Sequence, residues 1–451
     1  MTSTTRPHLP LRAAALAAAM WLLAPQAGAI TLMQAYQAAL QNDPQYRVAK
    51  AERDVGKENR IIGRSALLPQ VSASYSGSKV RADIDYGLSP TTGLPVIRHP
   101  LYYSRSEVVQ LRQPLFSVDS YARYKQGIAQ TNYSDAVFDA RTKEIAVRVV
   151  SAYLDVLYAE EQLGLSKAQV ATLEEQRKVN DRLFQKGEGT RTDMLETQAR
   201  LDMAQATVLE AQDNLTNARR ILSGIIGREV EGVDGLAPNF ATHPLTPGNF
   251  SDWQALALKN NPDLIAANYA IEASRMEVMK SRSGHMPRVD LVASYSQSDS
   301  DTINSLDQNT TQRAIGVQVN IPIYAGGYVS ATSRQAVANL EKARAQLDAQ
   351  MDKTLTDLRK EYNGVLTTQS KIAALDKAVA SSEELVKATE QSIKGGVRIN
   401  LDLLNARQQM YQNLRDRAQA RYNYLLSNLR LKAAAGTLVF DDIRQVAAYF
   451  R

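Results

Sequence analysis

The chain repeats itself, and the repeat leaves few folds open. Ala39-Leu40-Gln41-Asn42-Asp43-Pro44 is answered by Ala257-Leu258-Lys259-Asn260-Asn261-Pro262, and Leu68-Pro69-Gln70-Val71 by Met286-Pro287-Arg288-Val289, with both pairs of prolines 218 residues apart. Gln113-Pro114-Leu115-Phe116 matches Ile321-Pro322-Ile323-Tyr324, and Lys186-Gly187 matches Lys394-Gly395, each at an offset of 208. Leu222 to Gly227 echoes Leu431 to Gly436. Landmarks in one conserved order indicate an internal duplication, with repeats over 30–240 and 241–440 and a short tail over 441–451.

Within each repeat the hydrophobic period changes at the same places. Residues 31–65 and 251–283 have helical spacing broken by Asp43-Pro44 and Asn261-Pro262. Pro69 and Pro287 then open a switch from period 3.6 to period 2. Strands are expected over about 69–79 and 105–115 in the first repeat and about 287–298 and 312–323 in the second. Val71, Ala73, Tyr75 and Gly77 alternate with serines, and Ile315, Val317, Val319 and Ile321 alternate with Gly316, Gln318 and Asn320. Polar loops join each pair, over 81–104 and 299–311, the second carrying Asp299, Asp301 and Asp307.

Alternation alone also describes a soluble sheet with one wet face. Three features favour a membrane barrel: strands of about ten residues, outward faces expected to carry no charge, and aromatics near strand ends, where interfacial girdles sit. Those aromatics are Tyr75, Tyr102, Tyr103, Phe116, Tyr295 and Tyr324. Four strands cannot close a barrel, because the smallest need about eight and an open edge is not tolerated in lipid. Two or more chains must therefore share one barrel, and the strand pattern does not choose between two and three.

Between Pro114 and Gly187, and again between Pro322 and Gly395, no further proline occurs, and both intervals span 73 residues. As helices they would each reach about 100 Å at 1.5 Å per residue. Apolar residues recur three and four apart, as in Val147, Val150, Leu154 and Leu157 and in Leu355, Leu358, Tyr362 and Val365, amid abundant alanine that permits close packing. Each glycine-containing turn is followed by a second helical stretch. The sequence thus predicts antiparallel helical hairpins over 118–226 and 326–435, with residues 228–250 and the tail forming a smaller belt between the repeats.

Residues 1–29 have the grammar of a secretory signal: Arg6 and Arg12, an apolar run from Ala13 to Leu23, then Ala27-Gly28-Ala29. The run is too short for the roughly 20 residues of a membrane span. Without it, 51 basic and 47 acidic residues leave a balance of +4, interspersed along helices rather than gathered as a nucleic-acid patch. There is no cysteine, which excludes disulfides, thiol catalysis and a lipidated N-terminus. No phosphate-binding Gly-Lys-Ser/Thr loop occurs, and His8, His99, His243 and His285 are scattered. Glu174-Glu175 and Glu383-Glu384 lie in charged helical stretches, so no catalytic site, cofactor or metal is expected.

With signal, duplication, paired strands and hairpins in place, the chain resembles, over nearly its whole length, the TolC family of outer-membrane efflux and secretion channels. The resemblance rests on Leu67-Leu68-Pro69-Gln70, Lys186-Gly187 with Thr192-Asp193-Met194-Leu195, the run from Gly396 to Leu404, Ala420-Arg421-Tyr422-Asn423-Tyr424-Leu425 and Ala435-Gly436-Thr437-Leu438. It implies a mixed fold in which long helical hairpins form an α-barrel and four strands per chain complete a trimeric twelve-stranded β-barrel in outer-membrane lipid. It also implies a homotrimer working with a periplasmic adaptor and an inner-membrane ABC exporter or proton-driven pump. With no lipidated cysteine, type I secretion is favoured over drug efflux. The competing reading is a periplasmic coiled-coil adaptor without a pore.

The same resemblance implies a periplasmic gate. Asp402 falls on a first aspartate-ring position, and Asn405 replaces the aspartate of a second. Arg398 matches an arginine that links to the neighbouring helix pair, where Thr192 and Asp193 match its acceptors, while Ile393 replaces the tyrosine of a second link. Three aspartates converging on an axis would focus negative potential and favour cations. An exposed arginine link is worth about 0–1 kcal/mol, so it would bias opening without locking it.

Overall fold

In a computed structural model of the protein, residues 29–237, 240–300 and 308–451 are described. The expected signal and the loop aspartates Asp301 and Asp307 lie outside the described residues. The chain opens with α1 (Leu32–Asn42) and α2 (Pro44–Ser65). Thr31 starts α1 through a capping box with Gln34, and Asp43 caps α2, where Pro44 costs no hydrogen bond at the first helical position. The strands β1 (Gln70–Arg81), β2 (Ile84–Leu88), β3 (Pro95–Arg98) and β4 (Leu101–Phe116) follow, then α3 (Val118–Gln185) and α4 (Arg191–Ile226).

A second series repeats that order: α5 (Phe250–Asn260), α6 (Pro262–Arg282), β5 (Arg288–Ser300), β6 (Gln308–Asn320), α7 (Tyr328–Lys394) and α8 (Asn400–Ala434), closed by α9 (Phe440–Ala447). Asn261 caps α6 by accepting from the Asp263 and Leu264 amides, and Pro262 again stands at its start. At 68 and 67 residues, α3 and α7 each span about 100 Å.

Seven-residue spacing holds the helices together. Along α7, Leu358, Val365, Ile372 and Val379 are all buried, and nearer the sheet Val329, Ala336 and Ala343 keep the same interval. A strict seven-residue repeat on a helix of 3.6 residues per turn drifts around the axis, so helices that keep their seam must wind left-handedly about each other. Where α2 crosses α3, backbones touch. A Cβ on Gly127 would lie 2.3 Å from the Asn59 carbonyl oxygen, and one on Gly63 would lie 2.6 Å from that of Arg123.

The densest packing lies in mid-molecule, where Tyr153 and Val156 of α3 meet Leu425 and Leu429 of α8, with α1, α9, Val230, Val233, Phe240 and Leu245 around them. Tyr153 accepts from the Asp234 amide at 2.9 Å and donates to the Ile30 carbonyl at 3.1 Å. Burial raises its hydroxyl above the usual tyrosine pKa. Bridges Ile30–Val233 and Leu236–Phe450 fasten the segment before α1 and the segment after α9 into this belt.

The four main strands form one antiparallel sheet in the order β1-β4-β5-β6, so β1 and β6 are its edges. Two expectations are corrected here. The stretch 81–104, expected as a loop, folds in part as the separate β2–β3 hairpin, because Gly87 and Gly93 supply positive φ where the chain reverses. The outward face is also not free of charge. Arg313 shares the Ala73, Val109 and Tyr295 row, and Glu107, Arg105, Asp299 and Lys79 occupy the outward rows beyond it, at the end of the sheet away from the helices.

Candidate functional site

Register assigns the two faces of the sheet. One face carries Val71, Leu111, Ala293 and Ile315 in a single row, flanked by Ala73, Val109 and Tyr295 on one side and Leu291 and Val317 on the other. Val71, Ile315, Val317 and Val319 are exposed although they face no other part of the chain. From Val289 to Tyr295 this band covers about 20 Å along the strand at roughly 3.3 Å per residue, near the 25 Å apolar height of outer-membrane barrels. The opposite face presents Gln70, Ser72, Ser74, Ser76, Gln110, Ser294, Ser296, Gln312 and Gln318. That division matches lipid on one side and a wet lumen on the other.

Of the six aromatics singled out, Tyr75, Tyr103, Phe116 and Tyr295 share the apolar side. Phe116 arrives there through a bulge after Pro114, which brings it opposite Val289. Tyr102 pairs with Val80 on the polar side, Tyr103 stands in a charged row opposite Lys79, whose ammonium is 5.3 Å from its ring, and Tyr324 follows β6, exposed.

At the far end of the hairpins two tight turns lie side by side, each entered through a positive-φ glycine, Gly187 after α3 and Gly396 after α7. Asp402 stands in the first turn of α8, where the helix dipole favours a carboxylate, and the Arg398 guanidinium lies 3.9 Å from it. Asp193 caps its own helix: it accepts from the Thr190 hydroxyl at 2.5 Å while its amide donates back to that oxygen at 3.1 Å. Thr192 is exposed. Within the chain Arg398 is thus paired with Asp402 and not with Thr192 or Asp193.

Asn405 accepts from Arg200 of α4 at 2.7 Å, and the same guanidinium reaches Gln408 at 2.5 Å. A buried polar chain, not foreseen from sequence, runs beside it. Asn180 and Asn400 both donate to the Thr197 hydroxyl, Gln176 donates to Asn400 at 2.9 Å, and Arg407 joins Gln176 to Glu390. The Asn400–Thr197, Gln176–Asn400 and Arg407–Gln176 bonds cross from one hairpin to the other. Their sequence signal was faint: Asn180 and Thr197 are polar residues at positions whose helical spacing is otherwise apolar.

Long hairpins that carry a sheet with one apolar and one polar face define an outer-membrane channel subunit. The profile described as Outer membrane efflux protein matches residues 35–228 and 253–437, and the chain belongs to that family, the TolC group of outer-membrane channels. Alkaline protease secretion protein AprF of Pseudomonas aeruginosa is 39% identical over 432 residues, covering 95% of this chain and 89% of that one. Proteases secretion protein PrtF of Dickeya chrysanthemi is 37% identical, covering 94% of this chain and 92% of that one. Among solved structures, outer membrane protein VceC of Vibrio cholerae superimposes with a TM-score of 0.77 over 90% of this chain and 96% of that one. At 16% identity that likeness speaks for the fold alone.

Proposed function

We propose that three copies of this chain form the outer-membrane exit duct of a tripartite export system, with type I protein secretion as its main task. The observation that carries the duct is the sheet: two bare edges, an apolar band on one face and a polar surface on the other. Such a sheet is stable in lipid only when copies pair edge to edge into a closed barrel. Three copies give twelve strands, wide enough for a water-filled interior. The names of the 39% and 37% identical relatives, both protease secretion proteins, support polypeptide cargo over drug efflux. In this reading the two series of elements are an internal duplication, the chain performs no chemistry, and energy comes from an inner-membrane ABC exporter or pump joined through a periplasmic adaptor.

The gate of this duct lies at the paired turns. Asp402 from three copies narrows the axis and favours cations, while Arg398, Thr192 and Asp193 meet across subunits in the closed state. Asn405, tied to Arg200, replaces a second charged ring with a neutral one. Tyr75 and Tyr295 mark one edge of the membrane band, and Phe116 and Tyr324 the other. Planar-bilayer conductance of the purified protein tests this reading. Small cation-selective steps are expected, with Asp402→Ala weakening selectivity severalfold and Arg398→Ser increasing open time. Steps indifferent to both substitutions would remove the gate and keep the duct; folded protein without steps would remove the duct.

A further inference from the structure

Among the described residues, the polar face of the four-stranded sheet carries only three charged side chains, and they touch one another. Arg112 of β4 donates to Asp290 Oδ2 through Nε at 3.1 Å and Nη2 at 2.6 Å, and Arg288 Nε donates to Asp290 Oδ1 at 3.0 Å. The Asp290 side chain is 2% exposed, whereas Arg112 and Arg288 remain 43% and 37% exposed. Every other position of that face from Gln70 to Asn320 is serine, threonine, glutamine, asparagine, tyrosine or a small or apolar residue. The cluster lies at the helix end of the sheet, because Asp290 pairs with Pro114 and Arg288 with Asn320.

Two cations around one buried anion leave a net positive charge whose negative member is hidden. A guanidinium has five N–H donors, and Asp290 occupies two on Arg112 and one on Arg288. The remaining donors face an otherwise neutral surface, where a planar fork suits carboxylates. A purely structural ion pair between strand ends would need one arginine.

We propose that Arg112 and Arg288, oriented by Asp290, form a positive collar at the periplasmic mouth of the barrel that engages carboxylates of passing cargo. The proposal rests on the duct reading above, since only ring closure brings three copies of the cluster around one lumen. Six guanidinia and three buried carboxylates then give the duct a positive band between the helical tunnel and the neutral barrel wall. Low-dielectric walls focus such a field along the axis. The collar faces the negative ring expected from Asp402 at the opposite end of the helices, so the duct is polar along its length.

The test is block of single-channel current by poly-L-glutamate added from the barrel side, which reaches the collar without crossing the helical gate. Poly-L-lysine of the same length and the small dicarboxylate glutarate are run beside it. Poly-L-glutamate should block the unmutated protein at concentrations at least tenfold below poly-L-lysine. R112Q/R288Q should raise its half-blocking concentration at least fivefold, and R112K/R288K should restore most of the block. Glutarate blocking through the same arginines would mark a general carboxylate filter; block by the polymer alone would mark a grip on extended chains. Equal block by both polymers, an unchanged half-blocking concentration in R112Q/R288Q, or a lysine variant that behaves like the glutamine one overturns the collar while open-channel steps keep the duct. If folded protein conducts nothing, the duct fails, and arginine-independent binding of labelled poly-L-glutamate to the solubilised protein removes the collar as well.

Discussion

Asp155 and Glu361 are carboxylates in mid-molecule whose environment works against their charge. Burial raises both above the usual carboxylate range, and the Arg430 guanidinium offsets this only in part; for Glu361, Lys360 also lowers and Asp357 raises the pKa. A carboxyl with a raised folded-state pKa binds its proton more tightly in the folded protein than in the unfolded chain. Its contribution is therefore present at acid pH and is lost as pH rises through the folded value. Asp155→Asn should raise the thermal midpoint at neutral pH, with the gain shrinking toward zero as pH falls below the ordinary aspartate range. A gain that persists unchanged in acid would show that the carboxylate's charge is not the cause. At this scale sequence reading matched Asp402 to a gate position but did not foresee that Asp193 spends its carboxylate on Thr190, or that Asn405 is held by Arg200. The Thr190–Asp193 pair is a capping box whose three-residue spacing is a local signal that went unread, whereas Arg200 and Asn405 lie on different helices and their pairing has no local signature.

The helices are legible because their causes are local. Asp43-Pro44 and Asn261-Pro262 set breaks, glycines at 187 and 396 set turns, and the seven-residue apolar interval sets the seam. What the interval does not reveal is how close the helices come. Gly127 and Gly63 bring the α2 and α3 backbones into contact, and no side-chain movement can make room for a Cβ there. Gly127→Val is expected to cost about 1–3 kcal/mol through overpacking. The measurement is thermal unfolding together with trypsin cleavage at Lys57 and Arg60, which should become faster as α2 lifts. A variant as stable and as protease-resistant as the parent would mean that the crossing tolerates separation. The four main strands were legible in position and period, while their lengths, settled by partners distant in sequence, and the local β2–β3 hairpin were not.

For the whole molecule, the bare edges β1 and β6 carry the strongest demand for company. Because the chain has no cysteine, cross-links report contacts without background. Ser74→Cys on β1 combined in turn with Thr310→Cys, Gln312→Cys or Ala314→Cys on β6 should give covalent products up to the trimer at one register after oxidation in membranes. Products that stop at the dimer would point to twofold closure, and no product at any register would leave the edges unpaired.

The sequence by itself determined the repeated landmarks, the long hairpins and the alternating strands, because these follow from periodicity and from proline and glycine positions. Only the tertiary structure decided which strand neighbours which, which rows of the outward face carry charge, and that Arg112, Arg288 and Asp290 meet on the polar face. The reason is physical. Register and crossing depend on the simultaneous fit of segments nearly two hundred residues apart, and local spacing carries no information about that fit.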